Sequence, residues 1–264
     1  MKIGFIGCGN MATAMIQGIT GSGEIDREQV MASAKTEKTR KAIAEKLQIQ
    51  AAADNREVVQ FADIIFLAVK PQYLEEVLRE IKDEVKQDQL YVSIAPGKTL
   101  EWLAERLGEK TKIIRTMPNT PAMVGAGMTA LCYNNLVTEK EVACVCRLCD
   151  TFGKTEVVPE HLMDVVVGVS GSSPAYVFLF LEAMADAAVA DGMPRAQAYQ
   201  FAAQAVMGSA KLMLETGKHP GELKDMVCSP GGTTIEAVRV LEEKGLRSAV
   251  IEGQKACVRK AKGM

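Results

Sequence analysis

Lys2-Ile3-Gly4-Phe5-Ile6-Gly7-Cys8-Gly9-Asn10-Met11-Ala12, the stretch KIGFIGCGNMA, decides how this chain is read. Ile3 to Ile6 is a short apolar run, and Gly7-Cys8-Gly9 is a turn. From Asn10 to Ile19 apolar residues recur at Met11, Ala14, Met15 and Ile19, which is helical spacing. Strand, glycine turn and helix start, in that order, form the phosphate-cradling opening of a βαβ unit. Gly7 permits the tight turn, and Gly9 lets the backbone approach a pyrophosphate. The helix start turns free N–H groups and a positive dipole toward the anion. The third fingerprint glycine is Ala12 here, still small enough for close strand–helix packing. Alone, such a motif is also compatible with an ordinary turn; its place between a strand and a helix gives it weight.

Composition sets the outer bounds. A chain of 264 residues, 48% of them hydrophobic, has the material for one large or two medium domains with a sizeable core. The formal net charge of −2 leaves no electrostatic footprint for nucleic acid or an anionic membrane. No signal-peptide pattern precedes the first strand. The longest uncharged run, Val165 to Leu181, is interrupted by Gly168 and by Ser170-Gly171-Ser172-Ser173-Pro174. A bilayer span needs about 20 apolar residues, so none is expected. Seven cysteines without pairwise spacing fit a reducing, cytoplasmic setting. Cys144, Cys146 and Cys149 are the one cluster. They fall on a predicted helix from Glu139 to Phe152, whose apolar stripe is Val142, Val145, Cys146, Cys149 and Phe152. No second Cys or His cluster completes a tetrahedral site, so packed thiols are expected and no metal.

Gln29 to Ser33 reads as the second strand. An NAD-preferring site would carry an acidic residue at its end, for the ribose hydroxyls. Ser33-Ala34-Lys35-Thr36 stands there instead, with Lys38 and Arg40 close behind. Hydroxyls and cations suit a 2′-phosphate, which favours NADP over NAD. The same lysines also read as a solvated helix start. Asp54-Asn55-Arg56-Glu57 looks like a cap and first helical turn. Ile64 to Val69 is a continuous apolar run, suited to a strand buried on both faces. Lys70 falls at its carboxyl end, where ligands of open α/β sheets bind, though an exposed strand-end lysine reads the same way. Gln72–Val85 and Leu100–Leu107 read as helices. Leu90–Ile94 and Lys112–Met117 read as strands, with Met128–Tyr133 and Lys154–Val158 as further candidates. The alternation predicts a Rossmann-like, doubly wound parallel sheet over residues 1–158.

From 159 to 264 the pattern is all-α. Pro174 to Ala190 is apolar nearly all round, with Glu182 and Asp186 as exceptions. Such a helix must be buried centrally, and in a domain of about 100 residues another subunit is one way to bury it. Helices follow at Arg195–Glu215, Gly221–Val227, Thr233–Lys244 and Leu246–Ala261. Two loops here have the chemistry for an anion such as a carboxylate: Ser170–Pro174, and Ser229-Pro230-Gly231-Gly232-Thr233-Thr234 at a helix start. Ordinary capping is the plainer account of both. There are only two histidines, His161 and His219, and neither lies in a Gly/Ser-rich loop. An alcohol dehydrogenase would want a base for the hydroxyl proton; a C=N acceptor, protonated at nitrogen, is already electrophilic.

The chain resembles pyrroline-5-carboxylate reductases over essentially its whole length. The resemblance is carried by Phe5–Ala12, Ala68-Val69-Lys70-Pro71, Met117-Pro118-Asn119-Thr120-Pro121, Ser170–Tyr176 and Asp225–Thr234. It implies NAD(P)H-dependent reduction of 1-pyrroline-5-carboxylate to L-proline, the last step of proline biosynthesis. It also implies a cytoplasmic homodimer built from interleaved α domains, often assembled into a decamer. By the same resemblance, Ile6, Gly7, Cys8, Gly9, Asn10 and Met11 hold the pyrophosphate. Ser33 and Lys35 lie near the 2′-phosphate and Asn55 on the adenosine ribose. Ala68, Val69, Lys70 and Ala95 line the nicotinamide half. Ser229, Gly231, Gly232, Thr233 and Thr234 hold the substrate carboxylate, with Thr234 beside the ring nitrogen as the catalytic candidate. The cofactor implied is NADPH, with NADH as the alternative. Relatives often carry a basic residue just after Ser33, where this chain has Ala34 followed by Lys35.

Three rival readings differ in what they require. A β-hydroxyacid dehydrogenase would place a catalytic lysine on the helix after the Gly-Ser loop, and Pro174 to Ala190 contains none. A reductase of another cyclic imino acid would differ in ring size, which no residue here fixes. A non-catalytic NADP-binding regulator would not need the glycines and threonines of the Ser229–Thr234 loop.

Overall fold

A computed structural model of the chain describes residues 1–263. Its backbone divides into two compact units, Met1–Ser172 together with the segment from Val258, and Ser173–Cys257.

The first unit is built on one eight-stranded sheet. Its strands are β1 (Ile3–Ile6), β2 (Val30–Ser33), β3 (Gln50–Ala52), β4 (Ile64–Leu67), β5 (Leu90–Ser93), β6 (Lys112–Met117), β7 (Gly127–Tyr133) and β8 (Gly153–Val157). They lie in the order β3-β2-β1-β4-β5-β6-β7-β8, and β1 to β6 are all parallel. The chain reverses direction across the sheet between β1 and β4, a topological switch point. Register levels the strand ends there: Ile6 pairs with Ser33 on one side and Leu67 on the other, and Leu67 with Ser93. Every residue of β1, β4 and β5 is buried, as their continuous apolar sequences require.

Helices cover both faces. On one, α1 (Asn10–Gly21) and α6 (Glu139–Asp150) pack Met15, Ile16, Ile19, Val145 and Leu148 against Phe5, Phe66 and Val92. Phe5 and Phe66 stack with ring centroids 4.8 Å apart. On the other, α3 (Asn55–Phe61), α4 (Pro71–Ile81) and α5 (Leu100–Leu107) pack onto Ile6, Ile65, Leu67 and Tyr91. α2 (Glu37–Leu47) follows β2. The expected cap at Asp54 is a full capping box: its carboxylate accepts from the Arg56 N–H at 2.8 Å, and Glu57 reaches back to the Asp54 N–H. Within α6, Cys149 is buried and Cys144 and Cys146 are half-buried. Among the described residues no group of three or more His, Cys, Asp or Glu is placed to hold a metal ion.

Three features depart from the sequence reading. β3 has no apolar pattern to announce it, because Gln50 and Ala51 are exposed on an edge strand that pairs only with β2. The sheet is not parallel throughout: β7 runs antiparallel to β6, and β8, parallel to β7, follows it. The link from Met117 to Gly127 holds only a 3₁₀ turn at Thr120–Val124, too short for the crossover that a parallel neighbour needs. The helix read as Gln72–Val85 ends at Ile81 and gives way to a 3₁₀ turn at Lys82–Glu84.

Past β8 the chain is largely helical from Glu160 to Ala190, a 31-residue stretch of mean hydropathy 1.5 that is long and apolar enough, by length and composition alone, to cross a membrane. The Gly/Ser stretch expected to interrupt it does so, as a widened turn followed by a bend at Ser172. After α7 (Met163–Val166), the backbone widens into a π-helical turn at Val167–Gly171 before the helix continues. Arg115 is buried in β6 and forms an ion pair with Glu160, whose carboxylate also accepts from the Leu100 N–H at 2.7 Å.

The second unit is all-α: α8 (Ser173–Ala190), α9 (Arg195–Thr216), α10 (Pro220–Val227), α11 (Thr233–Glu243) and α12 (Leu246–Ala261), whose last turn, from Val258, is counted with the first unit. α8 and α9 pack on one another. Within one chain, however, Ala185 is the only buried residue of α8, and Phe178 and Leu179 are 65% and 68% exposed. The central burial expected for this helix is therefore not supplied by its own chain.

Two glycines test the packing of the sheet edge. A Cβ on Gly153 would lie 2.0 Å from the Gly127 carbonyl oxygen, where only backbone movement could relieve it. A Cβ on Gly21, at the end of α1, would meet nothing. Gly153→Ala is expected to cost about 1–3 kcal/mol or more. Gly21→Ala is expected to be neutral or stabilising by up to about 1 kcal/mol. Paired thermal melts measure the difference.

Candidate active site

The carboxyl ends of β1, β2, β4, β5 and β6 lie along one edge of the sheet, and the predicted cofactor residues of the first unit gather there. β1 delivers the chain into Gly7 at φ +90°, a left-handed conformation that β-carbon-bearing residues rarely adopt. The turn is also crowded: a Cβ at Gly7 would lie 2.8 Å from Val69 Cγ1 and 3.0 Å from the Ala68 carbonyl oxygen. Gly9 is the opposite case. It is the N-cap of α1, has no side chain with which to cap it, and a Cβ there would meet nothing within 4 Å. α1 thus opens with free N–H groups facing open space over Gly9, the cradle that a pyrophosphate fills and a Cβ would obstruct. The residues present therefore fit a dinucleotide. Asn10 is exposed and Met11 half-buried at the same helix start.

Cys8 sits in this turn, with its sulfur 3.8 Å from the Thr13 hydroxyl. Burial pushes the Cys8 thiol up, against a smaller opposing effect from Thr13. The group is therefore a neutral thiol at physiological pH, which adds no negative charge beside the free N–H groups of the α1 start.

Ser33 and Asn55 are brought together, but as supports of the turn. The Ser33 hydroxyl accepts from the Gly7 N–H at 3.2 Å and donates to Asn55 Oδ1 at 2.6 Å. Asn55 Nδ2 in turn donates to a Glu80 carboxylate oxygen at 2.7 Å. Ser33 is 2% exposed, so its hydroxyl is committed to this chain of hydrogen bonds. Glu80 was not singled out from sequence. It lies within α4, and only the fold brings it to Asn55.

Lys35 is exposed on the loop after β2. Arg40 braces that loop, donating from Nη1 to the Ala34 and Lys35 carbonyls at 2.9 and 3.1 Å. Its charge is thus held beside Ser33–Thr36 while its other N–H groups remain for a ligand. Along the rest of the edge, Ala68 and Val69 are half-buried, Ala95 is buried, and Lys70 is an exposed helix N-cap.

In the second unit, Ser229–Thr234 forms a turn closed by the Gly232 N–H donating to the Ser229 carbonyl at 3.0 Å, with Gly231 at φ +68°. Gly232 is the N-cap of α11, again without a side-chain cap. Thr233 and Thr234 occupy the first two helical positions. Thr233 is exposed and Thr234 half-buried. This is a second uncapped helix start with N–H donors and a hydroxyl at its mouth.

The two glycines of the first turn make separable predictions. Gly9→Ala should leave the melting temperature within about a degree while weakening NADPH binding about tenfold or more, which corresponds to about 1.4 kcal/mol. Gly7→Ala should lose stability as well as binding. Fluorescence titration with NADPH beside thermal melts reads both.

Comparison with known proteins bears on the whole chain. Residues 160–264 match the family model described as pyrroline-5-carboxylate reductase dimerisation. Residues 2–97 match the model described as NADP oxidoreductase, coenzyme F420-dependent. A pyrroline-5-carboxylate reductase of Escherichia coli (strain K12) is 58% identical over 260 residues, 98% of this chain and 97% of that protein. The crystal structure of the Streptococcus pyogenes 1-pyrroline-5-carboxylate reductase superposes with a TM-score of 0.90 at 36% identity, covering 100% of this chain and 99% of that one. The Plasmodium falciparum pyrroline carboxylate reductase with NADP bound superposes with a TM-score of 0.91 at 31% identity, covering 100% and 97%. Similarity at this level, running through both units, shows that the chain belongs to the pyrroline-5-carboxylate reductase family.

Proposed function

We propose that the carboxyl edge of the sheet holds NADPH and that the Ser229–Thr234 loop holds the carboxylate of 1-pyrroline-5-carboxylate during its reduction to L-proline. One observation carries this assignment: the two uncapped, glycine-led helix starts at Gly9 and Gly232. The reaction offers two anionic handles, a pyrophosphate and a carboxylate, and each helix start has N–H donors for one of them. Functionally, residues 1–158 would serve the cofactor, and residues 159–264 the substrate and self-association.

A nicotinamide held there would supply a hydride to C5 of the C=N bond. The protein's own part is positioning. Ile6 to Met11 fix the pyrophosphate end, and the Ser33–Asn55–Glu80 chain keeps Gly7 in place beneath it. Ala68, Val69, Lys70 and Ala95 line the edge along which the nicotinamide lies. The N–H groups of Gly231 and Thr233, with the Ser229 hydroxyl, hold the carboxylate, and Gly232, whose own N–H closes the turn on the Ser229 carbonyl, shapes the loop around it. Thr234 orients the ring nitrogen, which keeps the proton it carries in the iminium form while C5 receives the hydride. The charge of the iminium disappears in the product amine, so a neutral hydroxyl suits this position better than a fixed cation.

At the adenosine end, Lys35 and Arg40 favour a 2′-phosphate, which makes NADPH the preferred cofactor. For self-association, the exposed apolar residues of α8 and α9 are the surface, in keeping with the dimerisation family matched by residues 160–264. A homodimer is the basic unit and a decamer a further assembly, in the cytoplasm.

Thr234→Ala should lower kcat about tenfold or more, the scale of one lost hydrogen bond. Thr234→Ser should retain most of the rate; wild-type turnover in the alanine variant would remove Thr234 from the mechanism. Arg40→Ala should reduce the preference for NADPH over NADH about tenfold, because a charged contact to phosphate is worth about 1.5–3 kcal/mol. Steady-state kinetics with both cofactors tests it.

A further inference from the structure

Asn119 lies at the carboxyl end of β6, on the same edge as Gly7, Ala68 and Ala95, and the residue is 8% exposed. Its two polar atoms have different tasks. Oδ1 accepts from the Met128 N–H in β7 at 2.8 Å, closing the short link between β6 and β7. Nδ2 donates to the Ser170 carbonyl at 3.0 Å, inside the π-helical turn.

That carbonyl needs an outside donor for a reason written in the sequence. In an α-helix the Ser170 carbonyl would accept from the residue four positions on, which is Pro174 and has no N–H. A proline ring also pushes the carbonyl four residues before it out of the helical ladder. The backbone widens there, with the Ser172 N–H donating to the Val167 carbonyl at 2.8 Å in the i+5 pattern. The displaced carbonyl is met by the amide of Asn119. Met163, packed with Met117, Ala130 and Cys132, fixes the start of this segment to β6 and β7. Asn119 is the polar tie at its far end.

We infer that Asn119 is a positioning residue for the reduction: through Ser170 it sets the Gly-Ser turn at Ser170–Ser172 against the strand edge where the nicotinamide end of the cofactor lies, so that this turn forms part of the wall the reacting ring meets. The inference rests on the assignment of that edge to the cofactor. It takes in a Gly-Ser loop that the substrate-carboxylate assignment left without a task.

The test separates the two bonds. Asn119→Asp keeps an acceptor for the Met128 N–H and replaces the donor facing Ser170 with a second carboxylate oxygen. The expected result is a fall in kcat of about tenfold to a hundredfold, the scale of a misplaced reacting group. The affinity for NADPH, measured by fluorescence titration, should stay within about twofold of wild type, since the pyrophosphate turn is untouched. The deficit should shrink as pH is lowered, because the protonated carboxyl recovers a donor for the Ser170 carbonyl. A role limited to closing the β6–β7 link would produce no such pH-dependent recovery. Asn119→Ala, which removes both bonds, should show the same loss in kcat without recovery at low pH, together with a lower melting temperature. Wild-type kcat in folded Asn119→Asp enzyme would overturn the inference, as would an equal deficit at every pH. Absence of imino-acid reduction by the wild-type chain would overturn the cofactor-and-substrate assignment, and this inference with it.

Discussion

At Gly7 the backbone passes so close to β4 that a Cβ would sit 2.8 Å from Val69 Cγ1 and 3.0 Å from the Ala68 carbonyl oxygen. The approach is possible because β1 and β4 are in register, Ile6 opposite Leu67, and the Ala68 N–H donates to the Ile6 carbonyl at 2.9 Å. The rest of the first unit follows from it. A turn this tight sends the chain straight into α1, so Gly9 and the free N–H groups behind it fall at the switch point between β1 and β4. The position is held from the other side by the hydrogen-bond chain from Gly7 through Ser33 and Asn55 to Glu80. One backbone close approach thus sets the strand level, the helix start and the anion cradle together.

Much of this was legible in the sequence because it is local. The strand–turn–helix of residues 3–19, the buried runs of β4 and β6, the Asp54 cap and the helices from Pro174 onward all announce themselves through spacing within a dozen residues. What was not legible depends on partners distant in the chain. β3 is three small or polar residues that become a strand only because β2 offers an edge. The antiparallel turn into β7 is decided by the shortness of a link, not by composition. Ser33 was correctly placed at the end of β2, but its sequence says nothing of a hydroxyl committed to Gly7 and Asn55. Glu80 and Asn119 act across separations of 25 and 51 residues, and no periodicity points to either. One signal was available: Pro174, four residues after Ser170, forecasts an orphaned carbonyl and hence a donor from elsewhere.

The second unit carries the opposite lesson. The apolar character of α8 was plain in the sequence, and burial was the natural expectation. In a single chain that burial does not occur, and Phe178, Leu179, Phe201 and Leu214 remain exposed. Apolar surface on this scale is a mark of association, and the family matched by residues 160–264 is a dimerisation family. The longer stretch that ends in this helix, Glu160–Ala190, is long and apolar enough by length and composition to cross a membrane, and apolar surface of that kind equally suits a partner subunit.

The most direct measurement is product formation. Purified chain, NADPH and 1-pyrroline-5-carboxylate are mixed, nicotinamide absorbance is followed, and the product is identified chromatographically. Stoichiometric conversion to L-proline is expected, faster with NADPH than with NADH, with little or no reduction of 1-pyrroline, which lacks the carboxylate that the Ser229–Thr234 loop would hold. Equal rates with and without the carboxylate would rule out that role for the loop, and tight NADPH binding without any proline would rule out imino-acid reduction by this chain.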